Sequence, residues 1–423
     1  MYYFKSIIGD SMDRELFCKN RKKIFNLMDD NSILVVFSRR LEEESTRNDK
    51  YEVNRNYYYL SGVFEYENIV LLVKENNKCF ETIFINPYDE LKAKWVGAPK
   101  SIDEIREISG IRDVKYLDSF EETLYRLLYM INNIYFDIDP KNINKGIGED
   151  EFFIKSLKER VPYINVKNGR RLFEIARTCK DKLEIEEMKK AIEITNKGIL
   201  NILDHLGEGY EYQIESYFDQ AIKYNGATGY AFPTIAASGK NSCCLHYSDN
   251  NSYAKCGDLI LFDLGCSLNL YCSDISRTFP ISGKFTERQK QIYNIVLEGQ
   301  KLVFKSAKPG MTTKMLNNIL IEYYQKKLKE IGLIKNGTRE EVLKYYYHGV
   351  SHHIGIDCHD LCDYGPLKPG CVISNEPGLY IEEENIGIRI EDDILITENG
   401  AEWLSPQIIK EVEDIERYLG NRK

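Results

Sequence analysis

Histidine is concentrated in one short segment of this chain. The 423-residue sequence contains 6 histidines, and the segment HGVSHHIGIDCHD holds His348, His352, His353 and His359. An imidazole ring can act as a general acid or base near neutral pH, and it is a common metal ligand. A single histidine is more often a structural residue. The chemistry of this segment therefore depends on the groups that fold next to it.

Two aspartates lie in apolar sequence that is typical of paired strands. Asp263 interrupts the run GDLILFDLGC, and Asp274 lies in the next such segment, YCSDISRTF. A buried strand tolerates a carboxylate only when a cation or hydrogen-bond donors compensate for its lost hydration. A hairpin with a two-residue loop at Leu268 and Asn269 would place the two aspartates directly opposite each other. Their Cβ atoms would then lie about 4.5–5.5 Å apart on one face.

A second pair of acids shows the same pattern. Glu376 follows the apolar start of CVISNEPGLYI, and Glu391 lies in IGIRIEDDILI. A two-residue loop at residues 383 and 384 would place Glu376 opposite Glu391. Arg389 lies two residues before Glu391, so its side chain would point to the same face.

Four inward-facing carboxylates and one imidazole suit two divalent cations, because four negative ligands nearly balance the charge of two such ions. Oxygen-rich ligation with one imidazole and no thiolate favours Mn²⁺ over a structural zinc site. Two ions about 3.5–4 Å apart lower the pKa of a bridging water and polarise a carbonyl group. Taken singly, each acid could instead be a salt-bridged carboxylate at the end of a strand.

The elements that position these groups belong to two predicted domains with an α/β (α+β) fold class. Residues 1–172 read as a mixed α/β domain, with strands at residues 32–38 and 68–85 and a capped helix at residues 119–131. Residues 173–423 contain all the acids named above and the histidine segment. Amphipathic helices are predicted there, at residues 181–206, 286–305 and 315–331.

Composition argues against several classes of protein. The net charge of −9 argues against a nucleic-acid-binding protein. The first residues lack the apolar core of a signal peptide, and no stretch approaches the ~18 apolar residues of a membrane span. The 11 cysteines have irregular spacing, and without a secretory signal they are expected to be reduced thiols. The absence of a pair of CxxC motifs argues against a zinc ribbon. We therefore expect a cytoplasmic protein with no nucleic-acid or membrane partner.

Five short motifs resemble the ligand-bearing motifs of the pita-bread metallopeptidases. In chain order they are FDLG, SDISRTFP, HGVSHHIG, NEPGLYI and IRIED. Within this family the chain is similar to Xaa-Pro aminopeptidase (aminopeptidase P) and to prolidase. The segments NRNYYYLSGVFEYENIVLLV and WVGAPKS resemble the creatinase-like N-terminal domain of aminopeptidase P. The resemblance implies a pita-bread catalytic domain that removes an N-terminal residue preceding proline, with a metal-bridged hydroxide as the nucleophile.

The resemblance also implies a role for each motif residue. Metal ligands are expected at Asp263, Asp274, His352, Glu376 and Glu391. Asp274 and Glu391 would bridge both ions, and Glu376 would also act as general acid or base.

Residues around the ligands are expected to contact the peptide. His246 would lie near the scissile bond, and His348 would shape the proline pocket. His359 would stabilise the tetrahedral intermediate or move a proton. Arg389 would hold Glu391 and the substrate, and Tyr380 would form part of the pocket wall.

One position departs from the family pattern. The residue after the ligand histidine is usually Trp in the aminopeptidases and often Phe in prolidases, whereas here it is His353. Its ring would line the substrate pocket, but a titratable group would replace an apolar wall.

The resemblance leaves alternatives for function, metal and assembly. Prolidases cleave only dipeptides, creatinase-like enzymes share the fold without the metal set, and some pita-bread proteins are non-enzymatic binding modules. The intact ligand set counts against the last two. Mn²⁺ is the expected metal, with Zn²⁺, Co²⁺ and Fe²⁺ as alternatives, and a homodimer or homotetramer is the expected assembly.

Overall fold

A mixed six-stranded sheet organises the N-terminal unit of the protein, residues 10–177. The computed structural model describes residues 14–38, 53–139 and 149–422. In chain order the elements of this region are α1 (Arg14–Leu27), β1 (Ser32–Phe37), α2 (Arg55–Ser61), β2 (Ile69–Glu75), β3 (Lys78–Ile85), α3 (Glu90–Val96), α4 (Ile102–Ser109), β4 (Asp113–Tyr116), α5 (Phe120–Leu128), β5 (Asn133–Phe136), α6 (Glu149–Arg160), β6 (Asn165–Asn168) and α7 (Arg170–Thr178).

The sheet of the N-terminal unit has the strand order β4-β3-β2-β1-β5-β6. β2 pairs antiparallel with both β1 and β3. The other three pairings are parallel: β4 with β3, β5 with β1 and β6 with β5. The predicted strand at residues 32–38 is confirmed, as are the two strands in residues 68–85 with their turn at Asn76 and Asn77. The helix predicted at residues 119–131 is confirmed as α5, but the predicted capping of its first turn by the Ser119 side chain is wrong. The Ser119 hydroxyl donates to the Tyr116 carbonyl instead.

The C-terminal unit, residues 178–423, combines small antiparallel sheets with long helices. Its elements are α8 (Lys182–His205), β7 (Gly209–Tyr210), α9 (Glu211–Tyr224), β8 (Gly229–Tyr230), β9 (Ile235–Ser238), β10 (Tyr253–Ala254), β11 (Leu259–Leu264), β12 (Cys266–Leu268), β13 (Tyr271–Cys272), β14 (Ile275–Pro280), α10 (Glu287–Ser306), α11 (Thr313–Glu330), α12 (Arg339–Val342), β15 (Val372–Asn375), β16 (Gly378–Ile381), β17 (Ile386–Arg389), β18 (Asp392–Thr397), β19 (Gly400–Trp403) and α13 (Val412–Gly420).

The three helices predicted in this unit are confirmed as α8, α10 and α11. The capping box that opens α10 is also present, between Thr286 and Gln289. The predicted domain boundary at residue 172 lies within α7, a few residues before the division between the two units, and it stays a prediction. In the part of the chain that the structure describes, no helix is both long and apolar enough to cross a bilayer.

The first predicted hairpin has a different register from the one expected. Asp263 on β11 pairs with Ser276 on β14, and not with Asp274. The reason is the turn. Ser267 pairs with Cys272 and Leu268 with Tyr271, so the two loop residues are Asn269 and Leu270, which both have positive φ angles.

The first hairpin is also interrupted where the chain passes from β11 to β12. A Cβ atom on Gly265 would lie 2.0 Å from the Ser273 carbonyl oxygen. Only glycine permits this close approach of the two backbones. Asp274 lies just past this point, on the same face as Ser276 and Asp263, because alternate residues of a strand share a face.

The second hairpin has the predicted register. Asn375 pairs with Asp392 on one side of the acids, and Gly378 pairs with Arg389 on the other. Both pairs belong to the same register, which places Glu376 opposite Glu391. The loop is longer than predicted, because four residues from Glu382 to Asn385 follow the last pair, Ile381 with Ile386.

Candidate metal centre

Asp263 is held on β11 by a buried arginine. The Nη2 atom of Arg389 lies 2.7 Å from Oδ2 of Asp263. The other carboxylate oxygen, Oδ1, is buried and accepts no hydrogen bond from any residue that the structure describes. A buried acceptor without a donor costs free energy, so this oxygen is suited to a ligand that the chain itself does not supply.

His352 joins the two pairs of acids. Its Nε2 atom lies 3.3 Å from Oδ2 of Asp274 and 3.5 Å from Oε1 of Glu376. The side chain of Ser374 fixes this arrangement, because its Oγ atom accepts from the His352 backbone N–H and donates to Oε1 of Glu376. Ligand atoms of Asp274, His352 and Glu391 lie within 4.8 Å of one another. One carboxylate from each hairpin and the ligand histidine therefore converge at one point.

Glu391 is oriented by a chain of hydrogen bonds that starts at Arg389. The Nε atom of Arg389 donates to Oγ of Ser276, and that hydroxyl donates to Oε2 of Glu391 over 2.7 Å. Ser276 is the residue that pairs with Asp263 across the first hairpin. Ser276 and Arg389 thus connect the two hairpins, and their hydrogen bonds position Asp263 and Glu391.

The crowded carboxylates change one another's protonation. Burial, together with the charge of Asp274, raises the pKa of Glu376 to about 7, although His352 opposes this shift. Burial and the neighbouring acids raise the pKa of Glu391 well above its ordinary value. Burial also raises the pKa of Asp263, and the charge of Arg389 only partly offsets it. Such mutual repulsion is relieved when a cation lies among the acids.

The donor set therefore fits divalent metal ions. Carboxylate oxygens and one imidazole nitrogen converge on one region, one buried oxygen of Asp263 has no donor, and the acids repel one another. The five residues expected as ligands all belong to this arrangement. Their assignment as ligands remains a prediction.

His348 is tied to the pocket side of the site by Tyr380. Its Nδ1 atom lies 2.7 Å from the Gly349 carbonyl, so this nitrogen carries the proton and Nε2 accepts from the Tyr380 hydroxyl at 2.9 Å. Arg389 donates to the same hydroxyl oxygen from Nη1. Burial and the charge of Arg389 lower the pKa of His348 to about 3, so its ring is neutral. Three of the predicted substrate residues thus form one rigid chain.

His359 and His246 are exposed. The ring of His359 lies edge-on to that of His352, with 4.3 Å between the ring centroids. Burial and the charge of His352 lower the pKa of His359, and His246 is close enough to contribute to the same shift. His359 therefore lies beside the predicted ligand histidine, while contact of His359 or His246 with a peptide stays a prediction.

His353 lies on the other side of its strand segment from His352. It is 7% exposed and forms an isolated bridge with Ile373. Burial, followed by the charge of Lys180, lowers the pKa of His353 to about 4. Little of its ring is available to a substrate, so its predicted place in the pocket wall has weak support from the structure.

Sequence reasoning missed two groups of residues that touch the ligands. Ser276 and Ser374 hold Glu391 and Glu376. A signal existed for both, since each lies two residues from a predicted ligand and therefore on the same face of its strand. The Cys358 thiol donates to Oδ2 of Asp274 over 2.9 Å. Nothing local in the sequence indicates this contact, because 84 residues separate the two side chains.

Comparison with known proteins identifies the family. The model described as "Metallopeptidase family M24" matches residues 186–398, which is half of the chain. The chain belongs to metallopeptidase family M24. A second model, "Aminopeptidase P, N-terminal domain", matches residues 17–135. As a member of a metallopeptidase family, the M24 chain acts with divalent metal ions.

Individual relatives match the M24 chain along nearly its whole length. A Haemophilus influenzae protein named Xaa-Pro aminopeptidase is 30% identical, with 96% of this chain and 98% of the relative covered. A solved structure assigned to aminopeptidase P from Bacillus anthracis is 42% identical, with a TM-score of 0.94 and coverage of 97% and 99%. Zinc-substituted Escherichia coli aminopeptidase P in complex with product is 28% identical, with a TM-score of 0.89 and coverage of 98% and 100%. The predicted family, fold class and metal-dependent peptidase class are confirmed.

The metal-free M24 chain should lose stability as the pH rises. The pKa of Glu376 is about 7 in the folded protein, above its unfolded value of about 4.3. The folded state then binds more protons than the unfolded state, so the free energy of unfolding falls between about pH 4 and 7, by on the order of 3 kcal/mol. His352 acts in the same direction. Mainly through Asp274, its pKa rises to about 9 despite burial, so its contribution is lost as the pH rises from about 6.5 through 9.

Denaturant unfolding of EDTA-treated protein at about pH 5 and about pH 8 measures this effect. Glu376→Gln should reduce the slope between these two pH values, with the part due to His352 and Glu391 remaining. The exposed Glu413→Gln should keep the full slope. Metal-loaded protein should show the opposite trend, because metal binding releases protons and is favoured at higher pH. A metal-free stability that is constant or rises over this range would contradict the crowding of the acids.

Proposed function

We propose that this M24 chain is a Xaa-Pro aminopeptidase. It hydrolyses the bond between an N-terminal residue and a following proline, at a dinuclear centre held by Asp263, Asp274, His352, Glu376 and Glu391. The observation that carries the proposal is the convergence of the two hairpins on His352, at 3.3 Å from Asp274 and 3.5 Å from Glu376. The names of the relatives and the match to the aminopeptidase P N-terminal domain support the choice of substrate.

The protein side of the chemistry follows from the positions of these groups. Two divalent ions, when bound, activate the water that attacks the peptide carbonyl and polarise that carbonyl. Glu376 lies 3.5 Å from His352 and accepts from the Ser374 hydroxyl, so its carboxyl group would be positioned beside the ions to accept a proton and return it to the leaving amine. His359 is adjacent to His352 and exposed, and its ring can donate to the oxyanion as negative charge develops there.

Proline specificity needs a pocket that does not require an N–H group from the leaving nitrogen. Proline's ring nitrogen has no hydrogen once it is in a peptide bond. Tyr380 and Arg389 are buried, and their hydrogen bonds hold the ring of the partly exposed His348 in place. A ring immobilised in this way can pack against a pyrrolidine ring without losing side-chain entropy on binding.

The comparison of a dipeptide with a tripeptide tests the proposal and separates it from prolidase activity. We expect the metal-loaded protein to hydrolyse a Xaa-Pro-Yaa tripeptide with a higher kcat/KM than the matching Xaa-Pro dipeptide. The product to be measured is the free N-terminal residue. A tripeptide with alanine in place of proline is the control, and it should be cleaved much more slowly. Turnover of the dipeptide alone would assign the chain to the prolidases, and no release from either peptide would overturn the enzyme assignment.

Three finer predictions remain part of the proposal. The expected metal is Mn²⁺, supported by the oxygen-rich ligand set. The expected assembly is a homodimer or homotetramer. The expected location is the cytoplasm, supported by the irregular spacing of the cysteines in the sequence. Metal analysis of the purified protein and its mass in solution by light scattering would test the first two.

A further inference from the structure

Cys358 lies in the metal centre, although the sequence pattern indicated a site without sulfur. Its Sγ atom is 2.9 Å from Oδ2 of Asp274. The same oxygen faces Nε2 of His352 at 3.3 Å. Ligand atoms of His352, Cys358 and His359 also lie within 4.8 Å of one another. The thiol therefore contacts the same oxygen of Asp274 that faces His352.

We propose that Cys358 is an additional ligand of the metal ion that His352 holds. The inference rests on the proposed function, because it concerns the same metal centre. On binding, a sulfur–metal bond forms, the S–H bond breaks and the proton passes to solvent, with no change in oxidation state. The ion held by His352 would then have nitrogen, sulfur and oxygen ligands. The second ion, beside Asp263, would have only oxygen ligands.

The distances allow this coordination with small movements. Typical bonds are about 2.3 Å from zinc to sulfur and about 2.0–2.2 Å from zinc to nitrogen or oxygen. Across the range from right-angle to tetrahedral arrangements, such bonds place neighbouring ligand atoms roughly 3.0–3.7 Å from one another. The nitrogen–oxygen distance of 3.3 Å already fits. The sulfur–oxygen distance of 2.9 Å needs to increase by less than about 1 Å, which a small rotation of the cysteine side chain supplies.

The position of Cys358 favours a role as a ligand. Its Sγ atom contacts a carboxylate oxygen of the predicted centre and lies within 4.8 Å of ligand atoms of His352 and His359. A cation held by these groups would be within reach of the sulfur, and metal-coordinated thiols lose their proton.

A thiolate would make the two metal positions unequal. Soft sulfur ligands select Zn²⁺, Co²⁺ or Cd²⁺ over Mn²⁺. The ion held by His352 should therefore be thiophilic, while Mn²⁺ remains the expected ion beside Asp263. Hydrolysis would still follow the proposed mechanism, but the metal content of the active protein would be mixed.

Cobalt binding to the metal-free protein tests the inference without relying on activity. Co²⁺ bound to a thiolate shows a sulfur-to-metal charge-transfer band in the near ultraviolet, which oxygen and nitrogen ligands do not produce. We expect this band in the wild-type protein and its loss in Cys358→Ser and Cys358→Ala. The exposed Cys256 provides the control, because Cys256→Ser should keep the band at full intensity. Circular dichroism of each variant checks that the fold is intact.

Competition with Cd²⁺ gives a second readout. Loss of a sulfur ligand should weaken Cd²⁺ binding in Cys358→Ser by at least about 10-fold, with a smaller change for Mn²⁺. If the wild-type protein binds two Co²⁺ ions without the charge-transfer band, or if Cys358→Ser keeps the band, Cys358 is not a ligand and the five-residue centre stands. If the wild-type protein binds no Co²⁺, both the thiolate and the proposed centre are overturned.

Discussion

Asp274→Asn should abolish peptide hydrolysis and leave the fold in place. We expect kcat/KM to fall by well over 100-fold, because replacing groups that only support a metal ligand already costs about 10–100-fold. Asp274 lies closer to the centre than any supporting group, since one of its oxygens faces both His352 and Cys358. Asparagine keeps the size of the side chain but removes the charge that two cations require.

The same variant should have a stability close to that of the wild-type protein when both are metal-free, because the loss of repulsion among the acids offsets the loss of the attraction between Asp274 and His352. The charge of Asp274 raises the pKa of Glu376, Glu391 and Asp263, so its removal relieves repulsion among buried acids. Added metal should raise the melting temperature of the wild type and not of the variant. Asp414→Asn, on the surface helix α13, is the control and should retain both activity and metal response. Full activity of Asp274→Asn would contradict the assignment of Asp274 as a ligand.

Arg277→Met should cause the largest loss of stability that the structure indicates. The Arg277 side chain is fully buried, and its Nη2 atom lies 2.8 Å from Oδ1 of Asp392. It also donates to backbone carbonyls, including those of Ser276 and Glu391. Removing one partner of a buried ion pair costs about 3–5 kcal/mol, because the other charge remains buried. Lys410, at 2.7 Å from Oδ2 of Asp392, still compensates part of that charge, so we expect a loss at the lower end of this range. The melting temperature should fall by roughly 10 °C.

A surface ion pair provides the matched control for Arg277. Arg288 contacts Glu384 at 2.6 Å, but both side chains are about one-third exposed, at 33% and 31%. Arg288→Met should therefore cost about 0–1 kcal/mol. Arg277→Lys should recover only part of the stability, since an ammonium group cannot reproduce the fork of the guanidinium group. Denaturant unfolding of the metal-free variants measures all three changes, and equal losses for Arg277→Met and Arg288→Met would contradict the role of burial.

The predicted register of the first hairpin was wrong, but the two aspartates still lie on the same face of the hairpin, as predicted. Asp263 pairs with Ser276 and not with Asp274, so the prediction was displaced by two residues. Because side chains alternate with a period of two, a displacement of two residues keeps every side chain on its original face. Asp263 and Asp274 therefore still share a face, as diagonal neighbours. A displacement of one residue would have moved one of them to the opposite face.

The candidate ligands, their order along the chain and most of the elements that carry them were predictable from the sequence. A carboxylate in an apolar strand requires compensation, and this requirement is sufficient to single out all four acids. Helical periodicity and caps were sufficient for α8, α10 and α11, and the apolar runs were sufficient for β1 to β3. These features depend on neighbours within a few residues, which the sequence displays directly.

The groups that surround the candidate ligands could be identified only from the three-dimensional packing of the chain. Arg389 reaches Asp263 across 126 residues of sequence, and Ser276 reaches Glu391 across 115. Cys358 reaches Asp274, while His353, adjacent to the predicted ligand histidine, is buried and forms a bridge with Ile373. The physical reason is that these contacts form where separate hairpins and loops pack together. No periodicity or turn preference encodes that packing. The sequence therefore predicted only oxygen and nitrogen atoms at the centre, and the structure also places the sulfur of Cys358 there.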